Sequence, residues 1–204
     1  MKKLNILFYI IILATLLFTA CEQDYHFADD GVVINGVKWA TRNVDKFGKF
    51  AVKPESDGKL YQWNRSKAWS NSSGLALGWD PTDSKGTTWE TKNDPCPAGW
   101  RVPTEEELES LCETDKVSNE WTTQNGTKGR RFTDIATGNS IFLPAAGLHT
   151  GLPYYVGLEG HYWSSTQYSI NLMALSISFD ADYKGSYAAS KKIGMSVRCV
   201  CVAE

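Results

Sequence analysis

"CPAGWRVPTEEELESLC" (residues 96–112) starts and ends with cysteine and carries three consecutive glutamates. The thiols and carboxylates belong either to an active site or to the frame of a fold, and local physics favours the frame. Thr104 is placed to cap a helix, and Glu107, three residues on, completes a capping box. Glu105 and Glu106 then fall in the first turn, where the helix dipole favours negative charge. Leu108, Leu111 and Cys112 have the i, i+3, i+4 spacing of one buried face. A solvated first turn does nothing to raise a carboxylate's pKa, so these glutamates read as structural rather than catalytic.

The chain of 204 residues opens with "MKKLNILFYIIILATLLFTACEQD". Lys2 and Lys3 precede an apolar run of roughly 14 residues, which matches a signal-peptide core and is short for a bilayer span. No basic cluster follows it as a stop-transfer signal. Thr19 and Ala20 directly before Cys21 resemble a bacterial lipobox, with Phe18 where an aliphatic residue is usual. That resemblance implies a diacylated Cys21 and cleavage before it. The alternative is an ordinary secretory signal followed by a chance cysteine. The expected organisation is a lipoprotein signal peptide over 1–20, an acidic tether over 21–30 and a single domain over 31–204.

Cleavage would take Lys2 and Lys3 from the 21 basic residues, leaving 19 against 23 acidic ones and a net charge of −4. The longest basic run, "KGRR" (128–131), sits beside Gly126 and Gly129 in an expected turn. Nucleic acid is therefore excluded as a partner. Eight Trp, nine Tyr and seventeen Gly, with few long apolar runs, suit short strands and loops around an aromatic core.

In "GVVINGVKWATRNV" (31–44), Asn35-Gly36 between apolar residues predicts a hairpin, because that pair tolerates the positive φ of a type I′ turn. From about 48 to 95 the sequence is broken by Gly, Ser, Asn, Asp and Pro. Trp63, Trp69, Trp79, Trp89 and Trp100 fall in it or just after it. A disordered linker has few aromatics, so this reads as a long loop region pinned by its rings. "RRFTDIATGNSIFLPAAG" reads as strand, turn at 137–139, strand. "GHYWSSTQ" and "LMALSISFD" read as further strands, with Met173, Leu175, Ile177 and Phe179 on one face. "GMSVRCVCV" reads as a terminal strand with Val197, Cys199 and Cys201 on one face.

Metal and catalytic chemistry are not indicated. His26, His149 and His161 are isolated, and no CxxC or HxxxH pattern points to zinc. "DADYKG" (180–185) carries Asp180, Asp182 and Gly185 like a calcium loop. Lys184 stands where an oxygen ligand is needed, so the segment reads as a hairpin turn. His161 and Ser164-Ser165 are near in sequence, which does not make a triad. No cofactor is expected. With Cys21 lipidated, Cys96, Cys112, Cys199 and Cys201 remain for disulfides in an oxidising compartment. Four cysteines allow three pairings. Joining Cys199 to Cys201 is sterically poor on an extended strand, because both side chains project in parallel. The other two pairings stay open on the residues alone.

Six tags occur in order: "WATRNV" (39–44), "LYQWN" (60–64), "DPCPAGWRVPTEEELESL" (94–111), "IFLPAAG" (141–147), "GHYWSST" (160–166) and "GMSVRCV" (194–200). Together they closely resemble the Fibrobacter succinogenes major paralogous domain over about 31–202. The resemblance implies a C-type-lectin-like fold related to that of formylglycine-generating enzymes. It also implies an exported lipoprotein of the outer membrane, at the cell surface. One capped helix, short antiparallel strands and long aromatic-rich loops lead to the same expectation of an α+β class. Cys96 and Cys199 belong to the recurring tags, so the resemblance implies the pairs Cys96–Cys199 and Cys112–Cys201.

Calcium-lectin triplets such as Glu-Pro-Asn, Gln-Pro-Asp or Trp-Asn-Asp are absent. The motif around the redox cysteines of formylglycine-generating enzymes is not recognisable at Cys199 and Cys201. The function expected is that of a non-catalytic, lipid-anchored binding module for a glycan or a surface protein. Trp79, Trp121, Tyr154 and Tyr155, in loop-like contexts, are the candidate ligand contacts. The alternatives are a structural part of a surface appendage and an oxidase of the formylglycine-generating type.

Overall fold

The computed structural model describes residues 29–72 and 74–202. Cys21, the signal segment and nearly all of the tether lie outside the described residues. Among the described residues no helix is long and apolar enough to cross a membrane.

The first hairpin joins β1 (Val32–Ile34) to β2 (Val37–Trp39). Asn35 and Gly36 sit at φ 47° and 79°, the left-handed pair that the Asn-Gly signal predicts. Short strands β3 (Leu60–Gln62) and β4 (Ala68–Trp69), a 3-10 turn at Thr91–Asn93 and β5 (Trp100–Arg101) follow. Next comes the one α-helix, α1 (Glu105–Ser110). The long strands are β6 (Val117–Gln124), β7 (Thr127–Asp134), β8 (Ser140–Pro144), β11 (Gly160–Gln167), β12 (Met173–Phe179) and β13 (Lys184–Ser190). The two-residue pieces β9 (Leu148–His149), β10 (Pro153–Tyr154), β14 (Gly194–Met195) and β15 (Val200–Cys201) complete the chain.

Four antiparallel sheets result, ordered β1-β2-β15-β5, β10-β9-β14-β3-β4, β11-β12-β13 and β6-β7-β8. Strand makes up 40% and helix 5%, so the expected α+β, C-type-lectin-like class is corrected to mostly β. The physical reason is that helical periodicity occurs once, for six residues, whereas alternating and turn-bounded segments fill the rest. α1 itself forms as its capping box requires. The Glu107 amide donates to Thr104 Oγ1 at 3.3 Å and the Thr104 amide donates to Glu107 Oε2 at 2.7 Å. Arg101 donates to both Glu107 oxygens, at 2.8 and 2.6 Å. Burial pushes Glu107 up, but these hydrogen bonds outweigh it and hold the carboxyl below its ordinary range.

Two expectations for local structure change. The terminal strand breaks after Met195, because residues 196–199 bond to other segments. Ser196 O and Val197 O accept from the Trp163 and Val44 amides, and Cys199 O accepts from the Ala40 amide. "KGRR" lies inside β7, and the turn is Asn125-Gly126 alone. Gly129 is needed there for packing: a Cβ would lie 2.3 Å from Leu143 O of β8.

Two clusters form most of the core. One gathers Leu108 of α1 and its C-cap Leu111 with Trp39, Phe132, Ile177, Phe179 and Val200. The other gathers Tyr61, Trp63, Trp89, Trp163 and Val197 around Cys96 and Cys199. Trp63 Nε1 donates to Ser164 O at 2.9 Å, and Trp163 Nε1 donates to Tyr61 O at 2.8 Å. The irregular 48–95 region is thus tied to β11 by buried indoles whose polar edges are satisfied.

Candidate functional site

The strands β9 and β10 form a hairpin that closes over Gly147. Gly147 has φ 70°, and a Cβ there would lie 2.2 Å from Tyr154 O. The neighbouring loop attaches through the Ala76 amide, which donates to Gly151 O at 3.0 Å. That loop delivers Trp79 onto β9. Its ring stacks on His149 with centroids 4.8 Å apart and tilts against Trp69 at 4.9 Å. The Gly151 amide donates to His149 Nδ1 at 3.0 Å, and burial pushes the imidazole pKa down. The ring under Trp79 is therefore neutral at neutral pH, and the stack is uncharged.

Trp79, Pro81, Thr150, Ser190, Lys192 and Ile193 line a cleft of about 290 Å³. On the same hairpin Tyr154 lies opposite Leu148, so its ring is on the other face from His149; Tyr154 and Tyr155 are 46% and 50% exposed, with ring centroids 6.3 Å apart. Tyr155 holds φ 58°, a left-handed conformation that a β-carbon makes costly by roughly 1–2 kcal/mol. Leu75, Leu77, Leu152 and Leu158 are also exposed on these two loops, Leu77 at 85%.

A second, polar groove of about 490 Å³ runs along the 64–67 and 80–93 segments. The two cavities share the 80–83 turn, and Lys192 of the first bonds Asp83 of the second at 3.1 Å. Arg65 pairs with Asp80 and donates to Thr82 O and Oγ1, both at 3.0 Å. The Thr82 hydroxyl and amide, with Arg65, hold Asp80 below the ordinary carboxylate range. Buried Asn64 shapes the wall: it donates to Lys85 O at 2.9 Å and accepts from the Glu90 amide at 2.8 Å. Its φ of 56° is a conformation asparagine tolerates better than most residues.

Of the four candidate contacts, Tyr154 and Tyr155 come together as an exposed pair, while Trp79 stacks on His149, on the opposite face of the β9–β10 hairpin from Tyr154. Trp121 joins neither; it lies in β6 and packs against the cluster containing α1. Sequence reading overlooked the polar groove, whose only signal was the density of charged and amide residues between Asn64 and Asn93.

Cys96 and Cys199 are joined, with S–S 2.07 Å and Cα atoms 6.0 Å apart. The expected Cys112–Cys201 bridge is corrected: both are free and partly buried. α1 packs on β11, β12 and β13, and Val200 of β15 joins the core cluster that holds Leu108 and Leu111. Successive strand residues point to opposite faces, so Cys201 is turned away from that cluster. Ser164 Oγ donates to Leu175 O at 2.8 Å, while His161 Nε2 pairs with Glu159 at 2.8 Å, so these groups form no triad. Asp180 Oδ1 accepts from the Asp182 and Tyr183 amides, which makes "DADYKG" a self-bonded turn. Among the described residues, no group of three or more His, Cys, Asp or Glu side chains is arranged to hold a metal. No family model, curated protein or solved structure matches the chain.

Proposed function

We propose that the chain is a non-catalytic, lipid-anchored binding module of the outer membrane, displayed at the cell surface. Its ligand is a glycan long enough to engage the Tyr154–Tyr155 pair on one side of the β9–β10 hairpin and Trp79 with the polar groove on the other. One observation carries the reading. Tyr155 keeps its ring exposed from a backbone conformation that an aromatic residue adopts only at a cost, beside a second exposed tyrosine. Such strain concentrates at binding and catalytic sites. Aromatic faces stack on sugar rings, and the adjoining donors and acceptors suit hydroxyl groups. The anchor and address rest on the "FTAC" lipobox likeness and on the six tags that resemble the Fibrobacter succinogenes major paralogous domain.

A protein ligand is the second reading, favoured by Leu75, Leu77 and Leu158, whose exposed aliphatic chains offer a sugar little. Screening the purified protein against an immobilised oligosaccharide panel tests the first reading. Specific binding lost in Trp79→Ala and Tyr155→Asn supports it. A blank panel, or binding indifferent to both changes, contradicts it.

A further inference from the structure

The polar groove carries a surplus of positive charge, although the chain as a whole has a net charge of −2. Arg65, Lys67, Lys85 and Lys92 line it together with Asp80, Asp83 and Glu90. Each of these carboxylates already holds a cation. Asp80 pairs with Arg65, Glu90 with Lys92 at 2.8 Å, and Asp83 with Lys192 of the adjoining cleft at 3.1 Å. Among the described residues no carboxylate pairs with Lys67 or Lys85.

Lys67 is held in position. Its Nζ lies 4.0 Å over the Trp69 ring, whose negative face attracts an ammonium ion, and donates to Gly78 O at 3.2 Å. Trp69 tilts against Trp79 at 4.9 Å, and Gly78 directly precedes Trp79. The free charge therefore stands where the groove meets the aromatic cleft. Lys85 is exposed, and its backbone is fixed because Asn64 Nδ2 donates to Lys85 O at 2.9 Å. Behind that wall lies Lys191, only 1% exposed. Its Nζ donates to Gly86 O at 2.9 Å and to Gln167 Oε1 at 2.7 Å, and lies 4.2 Å over the Trp63 ring. Burial lowers the pKa of this amine, while the two acceptors and the ring face suit an ammonium ion. Its charge is opposed by Asp83, which already pairs with Lys192. A buried charge is also screened less by salt than an exposed one.

A cleft lined by an excess of one charge focuses its field on ligands of the opposite sign. We propose that the oligosaccharide this chain binds is anionic, with carboxylate or sulfate groups that meet Lys67 and Lys85 while a neighbouring sugar ring lies on Trp79. The inference rests on the glycan reading above. Lysine is a compact point charge on a flexible stem, so it takes a carboxylate or a sulfate alike. The one guanidinium of the groove, Arg65, is already engaged by Asp80 and Thr82. The shared chemistry is therefore a negatively charged sugar.

The test is equilibrium binding of the full chain, purified in detergent, to four probes. They are oligogalacturonate, the same oligosaccharide with its carboxyls methyl-esterified, a sulfated galactan oligosaccharide, and polyglutamate as an anionic chain without sugar. At least one acidic glycan should bind tenfold or more tightly than the neutral ester, and the one preferred identifies the anion. Its binding should weaken as salt rises from about 0.01 M to about 1 M, where the screening length falls from roughly 30 Å to roughly 3 Å. Lys67→Gln and Lys85→Gln should each weaken it about threefold. Lys67→Arg, which keeps the charge, and Lys38→Gln, on the exposed side of β2, should leave it unchanged. An ester bound as tightly as the acidic glycans overturns the proposal and leaves the glycan reading standing. Polyglutamate bound as tightly as they are, or indifference to both lysine changes, also overturns it. No binding of any oligosaccharide removes both.

Discussion

Trp79 and His149 stack with ring centroids 4.8 Å apart and planes 29° apart, and the imidazole beneath is buried. The contact fixes the cleft floor and makes it sensitive to acid. Burial lowers the pKa of His149, and that of His161 too, where Glu159 opposes the effect without cancelling it. Both folded values lie below the ordinary 6.5. Unfolded chains therefore take up protons that the folded protein refuses as pH falls below about 6.5. Stability is fully present above that value and declines below it, by at most about 1.4 kcal/mol per pH unit for each histidine. Urea unfolding at pH 7.5 and 5.5 should show the loss, and His161→Gln should reduce it. Stability that is flat or rising towards pH 5.5 would contradict the assignment.

The Cys96–Cys199 bridge spans 103 residues and ties the approach to α1 to the terminal segment. Cross-linking a loop of that length is worth at most about 4–5 kcal/mol in the chain-entropy model. Cys96→Ala with Cys199→Ala should lower the denaturant midpoint accordingly. A non-reduced peptide map should show this pair linked and Cys112 and Cys201 free. Alkylation of Cys112 should be slow, since burial pushes its thiol above the ordinary range. Recovery of a Cys112–Cys201 peptide from native protein would refute the arrangement.

Tyr155→Asn separates stability from binding. Asparagine tolerates the left-handed φ of 58° better than tyrosine, so the variant should gain about 0.5–1 kcal/mol of stability. It should also lose ligand. A variant that is less stable and binds normally would show that the Tyr155 ring serves packing alone.

Anchoring is tested at Cys21. The "FTAC" sequence predicts that Cys21→Ser moves the protein from the membrane fraction to the soluble one. Retention of the variant on membranes after a carbonate wash would defeat the lipoprotein reading.

Local signals were legible wherever one residue type has one physical use. Asn35-Gly36 specified its turn, Thr104 with Glu107 specified the start of α1, and Met173 to Phe179 specified a strand by alternation. Fold class was not legible, because a single well-capped helix weighed more in the reading than its six residues warrant. β6 was missed because "VSNEWTTQ" has no apolar alternation; its pairing to β7 comes from the Asn125-Gly126 turn. The second disulfide failed on direction: Cys112 and Cys201 suit each other in number, yet Val200, not Cys201, points into the core cluster that holds Leu108 and Leu111. Trp79, Tyr154 and Tyr155 were found as loop aromatics. The placing of Trp79 on the hairpin that carries the two tyrosines, and the groove beside it, depend on contacts 70 or more positions apart, such as Ala76 to Gly151.

The most direct test of the account is equilibrium binding of the detergent-purified protein to oligosaccharides selected on an immobilised panel. Saturable binding is expected that quenches tryptophan fluorescence, falls at least tenfold in Trp79→Ala, and is unchanged in Trp121→Phe. No saturable binding to any oligosaccharide, or a larger loss from Trp121→Phe than from Trp79→Ala, would contradict it.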